Sequence, residues 1–140
     1  MPACLAIFDA NCPENFAPNE RNDYTKFLED SPEGYEVCEV SHSVAAAFGL
    51  VAASDVAARL VWIMIDPRVQ GHGLGRIIMQ RIMARSAAIG ADRIHIAASH
   101  KSESFFARFG AVVIDRTEDG WGPGMHRVDM TLELASLPAG

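Results

Sequence analysis

A chain of 140 residues, 49% hydrophobic and 21% charged, is long enough to bury one sheet-and-helix core as a single domain (1–140) and too apolar to stay unfolded. Its formal net charge of −6 and pI near 5.2 argue against general nucleic-acid binding, which draws most of its affinity from Lys and Arg on phosphates, and lean mildly toward cationic partners such as amines. With no apolar run approaching the ~18 residues that span a bilayer, and no basic leader or cleavage signal in MPACLAIFDANC, no membrane association is expected and the expected compartment is the cytoplasm.

Residues 4–8 form a short apolar run, ended by Asp9, Asn11 and Pro13, and read as a first strand. Over 18–29, Tyr24, Phe27 and Leu28 fall three and four apart, with Asn19 and Glu20 near the start, which predicts an amphipathic helix. Asp30, Ser31, Pro32 and Gly34 break it. Residues 35–40 then alternate as a strand, and Ser41, His42 and Ser43 form the tip of a hairpin returning through 44–51. After the small-residue connection 52–58, the unbroken apolar run 60–65 suits a central strand covered on both faces.

The following helix carries Leu74, Ile77, Ile78, Ile82 and Ile89 on one side, and Gly90 is placed to end it as a left-handed cap. Residues 93–98 make a strand with Ile94 and Ile96 on one face. A strand, helix and strand within about forty residues form a parallel crossover. A short helix over 102–109 has Ser102 as N-cap and Gly110 as terminator. Two strands, 111–117 and 127–134, close the chain around the glycine-rich loop EDGWGPGMH. Cys4, Cys12 and Cys38 are an odd number without disulfide or metal spacing, so no metal site is expected.

Between the central strand and its helix lies IMIDPRVQGHGLGR, residues 63–76. Alternate glycines let a backbone turn sharply and approach a ligand, and the first turn of a helix offers unpaired N–H groups at the positive end of its dipole. An anion such as a phosphate suits that place, with Gln70, His72 and Arg76 as added donors. The same turn also serves as a plain strand-to-helix connection. It is not a Walker loop, because Gly75 precedes Arg76 and Ile77, nor a dinucleotide fingerprint, because Arg76 stands where the third glycine belongs.

Ile65, Pro67, Gln70, Gly73 and Gly75 fill every fixed place of motif A of the GNAT superfamily of acyl-CoA-dependent N-acyltransferases, which the chain resembles over nearly its whole length. A second family block is matched in frame by Ser99, Ser102, Phe105, Phe106 and Gly110, with several residue types changed. The resemblance implies an α/β fold with one mixed central sheet of about six to seven strands flanked by helices on both faces. It implies transfer of an acetyl group from acetyl-CoA to a primary amine of a small molecule or protein, and pairing of two chains as in many family members. On this reading the main chain of Ile63, Met64 and Ile65 receives the pantetheine arm like an added strand. Gln70, Gly71, His72, Gly73, Leu74, Gly75 and Arg76 hold the pyrophosphate, with Ser99 and Phe106 beside the arm.

Where the family often supplies a Tyr as acid the chain has Phe106, and where some members carry a Glu it has Ile94. His100, next to Ser99, is the candidate proton relay; it equally reads as an exposed loop histidine. Trp121 and His126 on the final hairpin, facing Phe16 and Glu20 around the first helix, are the candidate acceptor wall, and Trp121 also suits plain packing. The missing Tyr leaves a second reading open, a degenerate member that binds acyl-CoA as a sensor.

Overall fold

The computed structural model describes residues 2–12, 16–30, 35–69 and 73–134. The run expected as a first strand is instead helix α1, Pro2–Asn11. Cys4, Ile7, Phe8 and Asn11 are buried, and their spacing of three and four marks one helical face. Ala3, Ala6 and Ala10 lie exposed on the other, where their helix propensity is unopposed. Pro2 stands at the first helical position, where its missing N–H costs nothing. Helix α2, Glu20–Glu29, buries Glu20, Tyr24 and Leu28.

The strands are β1 (Tyr35–Val40), β2 (Ser43–Ala52), β3 (Ala57–Ile65), β4 (Arg93–Ser99), β5 (Val112–Gly122) and β6 (Met125–Glu133). Helix α3 spans Leu74–Ala88 and α4 spans Glu103–Ala107. The sheet order is β1-β2-β3-β4-β6-β5, with β3 and β4 parallel and every other pair antiparallel. This is the mixed sheet the sequence predicts, with helices on both faces. On one face Phe48, Leu60, Ile96 and Met130 pack with Ile78, Met79 and Ile82 of α3 and Phe106 of α4. On the other, Ala47 and Met64 meet Cys4, Ile7 and Phe8 of α1 and Tyr24 and Leu28 of α2.

Two further expectations need correction. Ile77 and Ile89 are 60% and 56% exposed, because the buried stripe of α3 runs through Leu74, Ile78, Ile82 and Ser86, and Ile89 falls beyond its last turn. The segment 118–126 is not a loop: β5 and β6 continue into it, and Pro123 and Gly124 alone make the turn. Its glycines and the positive φ of Asp119 (52°) are absorbed in a register shift between Thr117 and Gly122.

The shape of the sheet depends on an irregularity in β3. Ala47 pairs with Met64 but Gly49 pairs with Val61, so β3 carries one extra residue there, a β-bulge. Trp62 sits in it at φ 46°, a left-handed conformation that costs a side-chain-bearing residue about 1–2 kcal/mol. Opposite, Gly49 leaves the room required, since a Cβ there would come within 2.7 Å of Val61 Cγ2. The Tyr35 hydroxyl donates to the Trp62 carbonyl at 2.8 Å. Having given up its only proton, it accepts from the Tyr24 hydroxyl at 2.7 Å. The Trp62 ring packs 4.9 Å from that of Tyr24, so aromatic burial offsets the backbone cost.

Tyr35→Phe removes the donor to a half-buried carbonyl. The expected result is a loss of about 1–3 kcal/mol, measured as a lower urea midpoint with an unchanged slope.

Candidate active site

Strands β3 and β4 pair only through Ala57 to Leu60 and Arg93 to Ile96. Past the bulge β3 stays with β2, ending at the Ile65–Ala46 pair, while β4 stays with β6 as far as Ser99–Arg127. The facing edges of 61–65 and 97–99 therefore carry backbone donors and acceptors with no ladder between them. A cleft of about 620 Å³ opens in this gap, lined by both edges.

At one end the chain leaves β3 under firm restraint. Asn11 Nδ2 donates to the Ile65 carbonyl at 3.0 Å, and the Asp66 N–H donates to the Ala45 carbonyl at 2.7 Å. The buried Asp66 carboxylate accepts from the Arg68 guanidinium (Nη2 to Oδ2, 2.6 Å) and from the Arg68 N–H; these bonds hold its carboxyl below the usual range. Gly73 precedes α3 at φ 78°, with open space where a Cβ would stand. Leu74, Gly75 and Arg76 form the first turn, whose N–H groups have no carbonyl one turn earlier in the helix. The Leu74 side chain belongs to the core, so this residue offers only its main chain. Gly75 lines the cleft, and a Cβ on it would lie 2.7 Å from Phe105 Cε1. Gln70, Gly71 and His72 lie outside the described residues.

Ser99, Phe105 and Phe106 also line the cleft. Ser102 stands at the N-cap position of α4 without capping it. Its hydroxyl instead accepts from the Ser99 N–H at 3.1 Å, while the Ser102 N–H donates to Ser99 Oγ at 3.2 Å. The end of β4 is thereby tied to the start of α4. Phe105 and Phe106 pack edge to face at 5.1 Å.

Phe16, Glu20 and Trp121 reach the same cleft. Trp121 donates through Nε1 to the Ala98 carbonyl at 2.8 Å and lies under the Arg127 guanidinium, 4.9 Å from the ring centre. Its own carbonyl accepts from Asn19 Nδ2 at 2.8 Å. Beside it, Gly122 sits so close that a Cβ would fall 2.2 Å from Asn19 Oδ1. The segments around residues 16–20 and 121–122 thus touch across the cleft. Glu20 is 5% exposed, and its Oε2 accepts the Ala17 N–H at 2.8 Å. Burial raises its carboxyl from 4.5 to about 7; the Ala17 bond opposes the shift and the charge of Asp23 adds to it.

The two histidines are placed differently. The His100 N–H donates to the His126 carbonyl at 3.0 Å, the His126 N–H donates to His100 Nδ1 at 3.2 Å, and the rings lie 4.7 Å apart. His126 Nδ1 accepts the Asp119 N–H. Neither ring lines the cleft. Asn11, Asn19 and Arg127, which shape the site, escaped sequence reasoning; only Asn11, in helical register with Ile7, carried a signal. Among the described residues no cluster of His, Cys, Asp and Glu is arranged to hold a metal ion, and no helix is long and apolar enough to cross a membrane.

A mixed sheet whose central strands part beside a glycine-started helix is the architecture of acetyltransferases that use coenzyme A. The profile of the Acetyltransferase (GNAT) family matches residues 2–111, and the chain belongs to that family. Ard1 from Thermoplasma volcanium has a similar fold, with a TM-score of 0.78 at 13% identity over 95% of this chain and 92% of that one. The ribosomal-protein-S18-alanine N-acetyltransferase from Escherichia coli gives 0.75 at 17% identity over 99% and 89%. An aminoglycoside 6'-N-acetyltransferase complexed with coenzyme A gives 0.74 at 8% identity over 99% and 92%. No curated protein sequence matches the chain.

The raised carboxyl of Glu20 makes a stability prediction. Between its ordinary value of 4.5 and its folded value of about 7, the native state binds the proton more tightly than the unfolded chain does. The stability this group contributes is therefore full below 4.5 and is lost as pH rises through about 7. Glu20→Gln keeps an acceptor for Ala17 and removes the titration. Thermal melts across this range are expected to show the wild type losing stability relative to the variant as pH rises.

Proposed function

We propose that this protein transfers an acetyl group from acetyl-CoA to a primary amine of a small molecule or an exposed protein terminus or side chain. The observation that carries the reading is the parting of β3 from β4 directly beside the N-terminus of α3. The free edge at Ile63, Met64 and Ile65 suits an extended, amide-bearing arm laid down as an added strand. Gly73 with its open surroundings, and the first-turn amides of Leu74, Gly75 and Arg76, suit a diphosphate. Gln70, Gly71 and His72 complete that turn by their place in the motif. Ser99 and Phe106 flank the arm on the β4 side, and the acid wall at Glu20 favours a cationic acceptor between Phe16 and Trp121.

Acetyl-CoA supplies an activated thioester. The chain's own part is to hold it in one orientation and exclude water, and such positioning lowers barriers substantially by itself. By their names, the similar structures act on a ribosomal protein's alanine and on an aminoglycoside. A shared fold thus serves both kinds of amine, which supports the reaction class and leaves the acceptor to the loops. Pairing of two chains through an open sheet edge, β1 or β5, completes the reading.

Release of free thiol from acetyl-CoA in the presence of a panel of amines tests the activity; binding without turnover overturns it in favour of a sensor. Gly73→Asp tests the coenzyme site. Open space at this position lets the fold survive the substitution at a backbone cost of about 1–2 kcal/mol, while a carboxylate enters the place of the diphosphate. The expected outcome is a normal circular dichroism spectrum with acetyl-CoA binding lost in calorimetry.

A further inference from the structure

Resting on the transferase reading, we infer that Glu20 is the group that takes the proton from the acceptor ammonium, so that a neutral amine attacks the thioester. Among the described residues lining the cleft, Glu20 is the one carboxylate; the other charged groups there are Arg59, Lys101, Arg108 and Arg127. Phe106, in the place of the family's usual acid, has no proton to exchange, and neither His100 nor His126 lines the cleft. The carboxylate is delivered by the first turn of α2, on the face of the sheet opposite α3, while the glycine-started turn and α4 serve the coenzyme end.

Its setting fits the task. One oxygen is held by the Ala17 N–H, which fixes the carboxyl plane and leaves the other oxygen for the amine. Asp23 on its own helix raises its affinity for a proton, and Arg21, next to it in the chain, is engaged by Asp9 of α1. Burial brings its titration up toward neutrality, which is where a base accepts and returns protons most readily.

The step balances. The ammonium gives one proton to the Glu20 carboxylate. The amine nitrogen forms its bond to the acetyl carbon as the carbon–sulfur bond breaks, and the electron pair leaves on sulfur. The second nitrogen proton ends on the coenzyme thiol, and Glu20 returns its own to solvent. No oxidant or further reactant is needed.

The test is a pH series of steady-state kinetics on wild type and Glu20→Gln, using acetyl-CoA and whichever amine of the panel turns over. Wild type is expected to lose kcat/KM on the acid side of about pH 7. Glu20→Gln is expected to lose about 10²–10⁴-fold in kcat and the acid limb with it, while acetyl-CoA affinity in calorimetry is unchanged. A purely structural role would lower the melting temperature or raise KM and leave the limb in place. If the Gln variant does not fold, Asp23→Asn carries the test: removing the neighbouring anion moves the limb to lower pH, and a stationary limb overturns the assignment. Wild type that binds no acetyl-CoA overturns the transferase reading itself. Wild type and Glu20→Gln turning over alike, with the same limb, overturn only the role of Glu20.

Discussion

The bulge at Trp62 is the constraint on which the site depends. A regular β3 would continue its parallel ladder with β4, and the backbone groups that line the cleft would satisfy each other. One extra residue, kept in a left-handed conformation by the Tyr35 hydroxyl and by the packing of its ring against Tyr24, turns β3 toward β2. The cost is local and about 1–2 kcal/mol. What it creates is a pair of strand edges with no ladder between them in the middle of a covered sheet, where side chains reach individual carbonyls instead: Asn11 at Ile65 and Trp121 at Ala98.

Around that gap the two faces of the sheet divide the labour. The α3 and α4 face supplies a helix start, glycines and close aromatic packing, which suit an extended anionic cofactor. The α1 and α2 face carries Phe16, Glu20 and Trp121, an aromatic wall with one acid and with the Arg127 guanidinium over the Trp121 ring. Burial of Glu20 shifts its carboxyl more than its charged neighbour does.

Much of the architecture was legible because it follows from periodicity. Alternation over 35–40, the hairpin tip at Ser41 to Ser43, the apolar run before Pro67 and Gly73 of the motif place the first hairpin, the central strand and the start of α3 where the structure has them. The first helix was misread because a run as short as CLAIF satisfies strand and helix patterns alike; Pro2 and the buried Asn11 were the signals for a helix. The site was less legible, since its main features are tertiary. The Tyr35–Trp62 bond joins residues 27 apart, and no local pattern marks a carbonyl that needs a donor. The sequence places Glu20 on the candidate acceptor wall, but its burial and its bond to the Ala17 N–H show only in the fold. His100 had the right chemistry at the right strand end, but the β4–β6 ladder engages its Nδ1 elsewhere.

The bond from Asn19 to the Trp121 carbonyl joins residues 102 apart, with β3 and α3 between them in the sequence. The segment before α2 and the last hairpin therefore brace each other by tertiary contact alone, so loosening either one loosens the opposite wall of the cleft.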